Sequence, residues 1–323
     1  MKNVESSIVS IIMPVFNAGI YLNEAIQSVL NQQSSLDCSL PAFELIVVDD
    51  CSTELQTLEI LQNLPKIDSR IKVFKNERTK GAAGARNTGI LHSSGDWIGF
   101  LDSDDILTPH SLVTRWRHIL KTPDIEWIGA KFKLLKPKIN ASGCLFFETS
   151  ESLMAGLPLD LSSATINRLS KPVAEFSKSC MVGIMTVLIK RELILDKGMF
   201  NEKLRRAEDY HLWFQCAFEH DLWMVDANIA FYRIHPGSLT HGNAPKLLYE
   251  DAMIELLLEH PHGIAHKDLL LLRFDLVMQD HCYFYRERKL FGSALRNTFR
   301  WIKKRPANIA PWKELVACCL RIT

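Results

Sequence analysis

The sequence predicts an α/β fold, with a mostly parallel central sheet flanked by helices and a helical C-terminal extension. Three observations predict it. Short apolar runs that read as strands buried on both faces alternate with stretches whose apolar residues recur at helical spacing. Turn formers or acidic residues break each run. Beyond about Asn243 the strand-like runs stop while the helical periodicity continues. Such alternation implies right-handed crossovers between parallel strands, and ligands then bind outside the carboxyl ends of those strands.

Ile8-Val9-Ser10-Ile11-Ile12-Met13 reads as the first strand, ended by Pro14, and Leu22, Ala25, Ile26, Val29 and Leu30 follow at helical spacing. Phe43 to Val48 repeats the strand signal. Asp49-Asp50-Cys51-Ser52 breaks it, and Ser52 is placed to cap a helix carrying Leu55, Leu58 and Leu61. A third strand, Ile71 to Phe74, precedes the small-residue stretch Gly81 to Gly89. A fourth, Trp97 to Leu101, leads into Asp102, Asp104 and Asp105. Further strands are expected at Glu126 to Phe132, Met185 to Ile189 and Leu222 to Val225, with a helix over Glu208 to Phe218. In the extension, Phe291, Leu295, Phe299 and Ile302 form one apolar stripe, and Trp312, Leu315, Val316 and Cys319 another. The expected division is a catalytic domain over 1–242, with halves of about 1–120 and 121–242, and an extension over 243–323.

Bulk properties narrow the function. With 47% hydrophobic and 23% charged residues the chain has ample core material and no sign of disorder. No run of about 18 apolar residues occurs, so a spanning helix or export signal is not expected. The eight cysteines form no CxxC pair and no zinc spacing with His, and read as free thiols in a reducing cytoplasm. The net charge of +1 is unevenly placed. Residues 286–323 hold ten Lys or Arg against two Glu, a local +8, which leaves −7 on the first 285 residues. A basic tail beside an acidic body suggests an anionic partner such as a membrane surface.

The acidic groups carry the chemistry. Asp49-Asp50 and Asp102 to Asp105 each follow a strand directly and so share one rim; a third pair, Glu208-Asp209, lies downstream. An Asp-x-Asp at a strand end suits Mg²⁺ or Mn²⁺, which take oxygen ligands and share substrate phosphates. A lone DxD is more often an acidic turn or a helix cap than a metal site, so the flanking motifs decide.

VSIIMPVFNAGIYLNEAIQSVLNQ, FELIVVDDCST, GAAGARNTGI, DWIGFLDSDDILTP, GMFNEKLRRAEDYHLWF and YRIHPGSLT resemble, in order and spacing over about residues 8–240, the family 2 glycosyltransferases of the GT-A fold. The resemblance is to non-processive bacterial members, since the Q-x-x-R-W signature of processive synthases is absent. It implies a metal-dependent, inverting transfer of a sugar from a nucleotide diphosphate donor to a glycan or lipid-linked acceptor in cell-surface polysaccharide or glycoconjugate synthesis. The implied donor pocket comprises Pro14, Phe16, Asn17, Asp50, Arg86, Asp102 and Ser103. Asp50 would meet the base, where a carboxylate can accept the N3 proton of uracil but finds no such donor on cytosine, favouring a UDP-sugar. Asp102 would lie near the ribose. Asp104, with His235, would hold the Mn²⁺ or Mg²⁺, and Asp209 would be the general base, with Glu208 its structural partner and Arg233 in the closing loop. Asp105 is read as holding the loop together, and Arg86 as organising the pocket or making a structural salt bridge.

Departures from the family pattern are Cys51 for a frequent Gly, the longer Ser34 to Pro41 connection, and Gln215 in place of an Arg. Two other readings remain at this point: a sugar nucleotidyltransferase, which normally carries an arginine in the loop Pro14 to Gly19, and a non-catalytic nucleotide-sugar binder, which has no need of Asp209. The C-terminal helices are open to packing, to homo-oligomer formation or to peripheral contact with the inner face of the membrane. A cytoplasmic location and no nucleic-acid partner are expected.

Overall fold

The computed structural model describes residues 7–139, 145–148, 150–155, 161, 163–235, 244–245 and 247–322. Strands and helices first alternate strictly: β1 (Ile8–Val15), α1 (Gly19–Leu30), β2 (Ala42–Asp49), α2 (Leu55–Ile67), β3 (Ile71–Lys75), α3 (Ala82–His92) and β4 (Trp97–Phe100). The second half continues with β5 (Ile106–Leu107), α4 (Ser111–Lys121), β6 (Trp127–Leu135), the antiparallel pair β7 (Lys138–Ile139) and β8 (Leu145–Phe146), then α5 (Ser150–Ala155), β9 (Ile166–Leu169) and α6 (Val173–Lys178). After β10 (Leu188–Lys190), α7 (Arg191–Asp196), α8 (Glu208–Ala217) and β11 (Leu222–Arg233) the chain is helical: α9 (Glu250–Glu259), α10 (Pro261–Ala265), α11 (Lys267–Glu287), α12 (Phe291–Lys304) and α13 (Ile309–Cys319).

The main sheet runs β3-β2-β1-β4-β10-β6-β11-β5, with β9 also paired to β11. β3, β2, β1 and β4 are mutually parallel, as are β6 and β11; β10 lies antiparallel between β4 and β6, and β5 and β9 are antiparallel to β11. Alternate residues of β1 face opposite layers. Val9, Ile11, Met13 and Val15 pack with Leu22, Ile26 and Val29 of α1, Leu61 of α2 and Trp116 of α4. Ile12 joins Ala85 and Ile90 of α3, Trp213 of α8 and Phe274 of α11 on the other side. Covering both faces is why these strands read as unbroken apolar runs, and each large side chain so buried contributes about 1.5–3 kcal/mol. Helices α9, α11 and α12 enter the same core through Leu257, Phe274, Met278 and Trp301.

Several expectations are corrected. Ser52 does not cap α2; its hydroxyl accepts from the Asn17 N–H at 3.1 Å, and α2 begins at Leu55 after Glu54 with no side-chain cap. Met185 lies in a 3-10 turn over Ile184–Thr186, and the strand is confined to Leu188–Lys190. The stripe expected on α12 is not its covered face: Ala294, Thr298 and Trp301 are buried and Phe299 is exposed. Trp312, Val316 and Cys319 of α13 likewise point outward, while Pro311 and Cys318 are buried.

Candidate active site

The loops after β1, β2, β4 and β11 and the first turns of α3 and α8 meet at the carboxyl rim of the parallel strands. Asn17, at φ 47°, ties the first two loops together: its side-chain oxygen accepts from the N–H groups of Thr53 (2.8 Å) and Glu54 (3.0 Å). Phe16 is exposed, with the Lys80 ammonium 4.4 Å from its ring centroid, and Pro14 lies within β1 beside Val48. Asp49 accepts from the Ser52 N–H at 2.9 Å, closing the turn rather than capping a helix. Asp50 is buried, with one carboxylate oxygen accepting from Asn76 Nδ2 at 2.6 Å and the other from the Gly81 N–H at 2.8 Å. Cys51 takes φ 65°, the left-handed conformation that a glycine would adopt without strain.

Arg86 links two acidic motifs. Its guanidinium, 4% exposed, donates from Nη2 to Asp102 and from Nη1 to Glu208, each at 2.6 Å. Burial alone would lower its pKa, but Asp102, Glu208 and Asp209 together raise it. Asp209 sits beside this network, its Oδ1 accepting from the Tyr210 N–H at 2.7 Å. Burial raises the pKa values of both Glu208 and Asp209, and Arg86 opposes the rise. Arg86 therefore makes a salt bridge, one of the two roles read for it, and Glu208 is one of its two partners there.

In the same acidic turn as Asp102, Asp104 Oδ2 lies 2.9 Å from His235 Nε2. Burial raises the Asp104 pKa, the charge of Asp102 adds to it, and His235 pulls it down. Asp105 is fully buried and holds the loop as expected: Oδ1 accepts from the Arg233 N–H at 2.8 Å, while Oδ2 has no hydrogen-bond partner among the described residues. Arg233 donates from Nε to the Asp104 main-chain oxygen at 2.8 Å and from Nη2 to Glu24, its guanidinium 4.7 Å from the Tyr21 ring and 4.9 Å from Phe147. Ser103 is half-buried in the same turn. Pro236 to Thr240 of YRIHPGSLT, and His241, lie outside the described residues.

No group of three or more His, Cys, Asp or Glu is arranged to hold a metal among the described residues. The facing pair Asp104 and His235 nevertheless fits a cation that takes its remaining ligands from water and from phosphates. Sequence reasoning missed four supporting residues. Asn76 holds Asp50, Glu24 holds Arg233, Asn87 pairs with both the N–H and the carbonyl of Phe200 (3.0 and 2.9 Å), and Glu202 accepts from Arg78, Thr79 and Asn87. Of these, Glu24, Asn87 and Glu202 stood inside segments already marked by their pattern, and Asn76 did not. Gln215 keeps a buried side-chain oxygen without a hydrogen-bond partner among the described residues. A separate cavity of about 520 Å³ opens at the opposite rim, where Arg168 pairs with Asp221 and Glu126 with His220, and no candidate residue lines it.

Comparison with known proteins places this arrangement. Residues 10–133 match the sequence profile of Glycosyl transferase family 2. The chain is 35% identical over 208 residues to the putative teichuronic acid biosynthesis glycosyltransferase TuaG of Bacillus subtilis (strain 168), covering 64% of this chain and 70% of TuaG. The chain belongs to glycosyl transferase family 2. This glycosyltransferase is also 28% identical over 284 residues to the UDP-Glc:alpha-D-GlcNAc-diphosphoundecaprenol beta-1,3-glucosyltransferase WfgD of Escherichia coli, covering 87% of this chain and 98% of that one. Its fold matches S. aureus TarS 1-349, solved in complex with UDP-GlcNAc, with a TM-score of 0.62 at 20% identity, covering 97% of this chain and 87% of TarS. The expected GT-A architecture is thus present, and the enzyme is a glycosyltransferase. No described helix of the glycosyltransferase is long and apolar enough to cross a membrane.

Proposed function

We propose that this enzyme transfers a sugar from a uridine diphosphate donor to a hydroxyl of a glycan or lipid-linked acceptor, with inversion and with a divalent cation, Mn²⁺ or Mg²⁺. The observation that carries the reading is the Arg86 bridge, because it brings Asp102 and Glu208, and with them Asp209, to one cleft from motifs about a hundred residues apart. The names of WfgD and of the TarS complex support a uridine donor and, for WfgD, an acceptor on a lipid diphosphate.

In this reading Asp50, fixed by Asn76 and Gly81, offers its remaining lone pairs to the N3–H of uracil. Phe16 and Asn17 shape the base side of the pocket, with Pro14 inside the strand that runs on to Val15 beneath them, and Asp102 and Ser103 lie on the ribose side. Asp104 and His235 would hold the cation; the chemistry it supplies is Lewis-acid neutralisation of charge on the departing diphosphate. Arg233, clamped by Asp105, Glu24 and Tyr21, fixes the strand end from which His235 projects. Asp209 takes the acceptor proton as the oxygen attacks the anomeric carbon opposite the diphosphate. Burial raises its pKa, which makes it a better base than an exposed aspartate, and Arg86 opposes the rise.

The test is release of UDP from a panel of uridine sugars, with Mn²⁺ and candidate acceptors. Asp209→Asn should abolish transfer and leave UDP binding intact, and full activity in that variant would sink the assignment. Turnover unchanged by a chelator would remove the cation from the proposal.

A further inference from the structure

We infer that α13 is an interfacial helix whose outward face docks on an anionic lipid bilayer. The face is defined by burial. Pro311 and Cys318 are covered and Glu314 is held by Arg286 of α11. The exposed positions are Ile309 (67%), Trp312 (46%), Val316 (56%), Leu320 (66%) and Cys319, and Lys313 is the one charged residue among them within the helix. Apolar residues at i, i+3, i+7 and i+11 make a continuous stripe along the solvent side of the helix, the reverse of the pattern a surface helix needs in water. Trp312 donates its indole N–H to the Pro306 carbonyl at 2.9 Å, which satisfies its one polar group and frees the ring for an apolar surface.

Charge decides what covers the stripe. Of the ten basic residues in 286–323, Lys289, Arg296, Lys303, Lys304, Lys313 and Arg321 contact no carboxylate among the described residues, whereas Arg286, Arg288, Arg300 and Arg305 do. A second copy presenting the same face by two-fold symmetry would bring one +8 segment against another. An anionic bilayer instead accepts the apolar side chains at the acyl boundary and the ammonium and guanidinium groups among its phosphates. No described helix can cross the membrane, so the contact is peripheral. This inference goes beyond the transfer reaction and stands whether or not the donor is a uridine sugar.

Flotation of the full chain with phosphatidylcholine vesicles, with and without phosphatidylglycerol, tests it without any donor. The wild-type chain should float with the anionic vesicles and be released by salt. Trp312→Ser with Val316→Ser and Leu320→Ser should lose about tenfold or more in partitioning, with thermal melting unchanged, because every substituted side chain is exposed. Lys303→Glu with Lys304→Glu should lose a similar factor and most of the salt response. Failure of the wild-type chain to bind anionic vesicles in dilute salt would overturn the inference, as would undiminished binding by the triple variant. A concentration-dependent dimer that the triple variant dissolves would give the face to a second copy instead.

Discussion

Replacing Arg86 by methionine removes a buried cation while nearly keeping its volume. Among the described residues the guanidinium is the only partner at hydrogen-bond distance that two buried or half-buried carboxylates, Glu208 and Asp102, share, and Asp209 lies in its field. Breaking a buried ion pair from one side costs about 3–5 kcal/mol, since the charge left behind is neither solvated nor paired. The stranded carboxyls can escape by taking up protons. Without Arg86 the folded pKa values of Glu208 and Asp209, already raised by burial, rise further above the unfolded values of about 4.3 for Glu and 3.9 for Asp. A carboxyl with a raised folded pKa leaves stability intact below the unfolded pKa and costs stability as pH climbs through the folded one. The gap in melting temperature between wild type and Arg86→Met should therefore be small near pH 4 and widen to about 5–10 °C at pH 7.5. Differential scanning fluorimetry across that range reads it, with transfer measured in parallel and expected to drop about a hundredfold as Asp102 and Asp209 lose their spacing. A gap that does not change with pH would show that Arg86 matters for packing alone.

Two other perturbations probe the frame of the site. Glu44, which accepts from Ser10, Ser94 and Lys72, is subject to burial that raises its pKa and to those hydrogen bonds, which win and hold it at about 2 against a usual 4.5. Its contribution is present above pH 4.5 and lost as pH falls toward 2, so Glu44→Gln should destabilise by about 1–2 kcal/mol at pH 7 and not at all near pH 2. That is below the ceiling of about 3 kcal/mol set by the shift, because Lys72 is half in solvent. A loss that persists unchanged in acid denaturation would refute it. Cys51→Gly should relieve the left-handed backbone at φ 65°, a strain of roughly 1–2 kcal/mol partly offset by glycine's larger ordering entropy. A melting point that rises by about 1–2 °C would agree with this, and one that falls would contradict it.

Which parts of the fold could be read in advance follows from how local their causes are. β1, β2 and β4 are buried on both faces, so every residue votes for a strand and the runs stand out. β11 was visible only at Leu222 to Val225, because register shifts between Val225 and Asn228 and again before Phe231 admit Asp226 and Asn228 and break the apolar pattern. β5 is two residues long and exists through pairing of Ile106 and Leu107 with Phe231 and Ala230, more than a hundred residues away. On α12 the covered positions include Ala294 and Thr298, where the Thr298 hydroxyl meets the thiols of Cys282 and Cys318. Close helix approach there uses small residues, so the apolar stripe does not mark the covered face.

The same distinction separates the acids of the candidate site from what holds them. Asp50, Asp102 and Asp104 are legible because strand ends deliver them, but nothing local says that Glu24 must reach Arg233 or Asn76 reach Asp50. Gly81 to Gly89 lies between these cases. Its small residues stood out in the sequence without an element assigned to them; most of it is helix, and the structure gives the glycines a reason. A Cβ on Gly84 would stand 1.9 Å from the Thr79 carbonyl oxygen, and one on Gly89 would stand 2.4 Å from Ile12 Cγ2. The missing side chains let α3 lie directly on β1 and on the turn before it. Only at that distance does Arg86, between the two glycines, sit close enough to touch Asp102 and Glu208 at once. The composition of this helix is thus a condition for the charge network, and the arginine's two contacts could not be kept with either glycine enlarged.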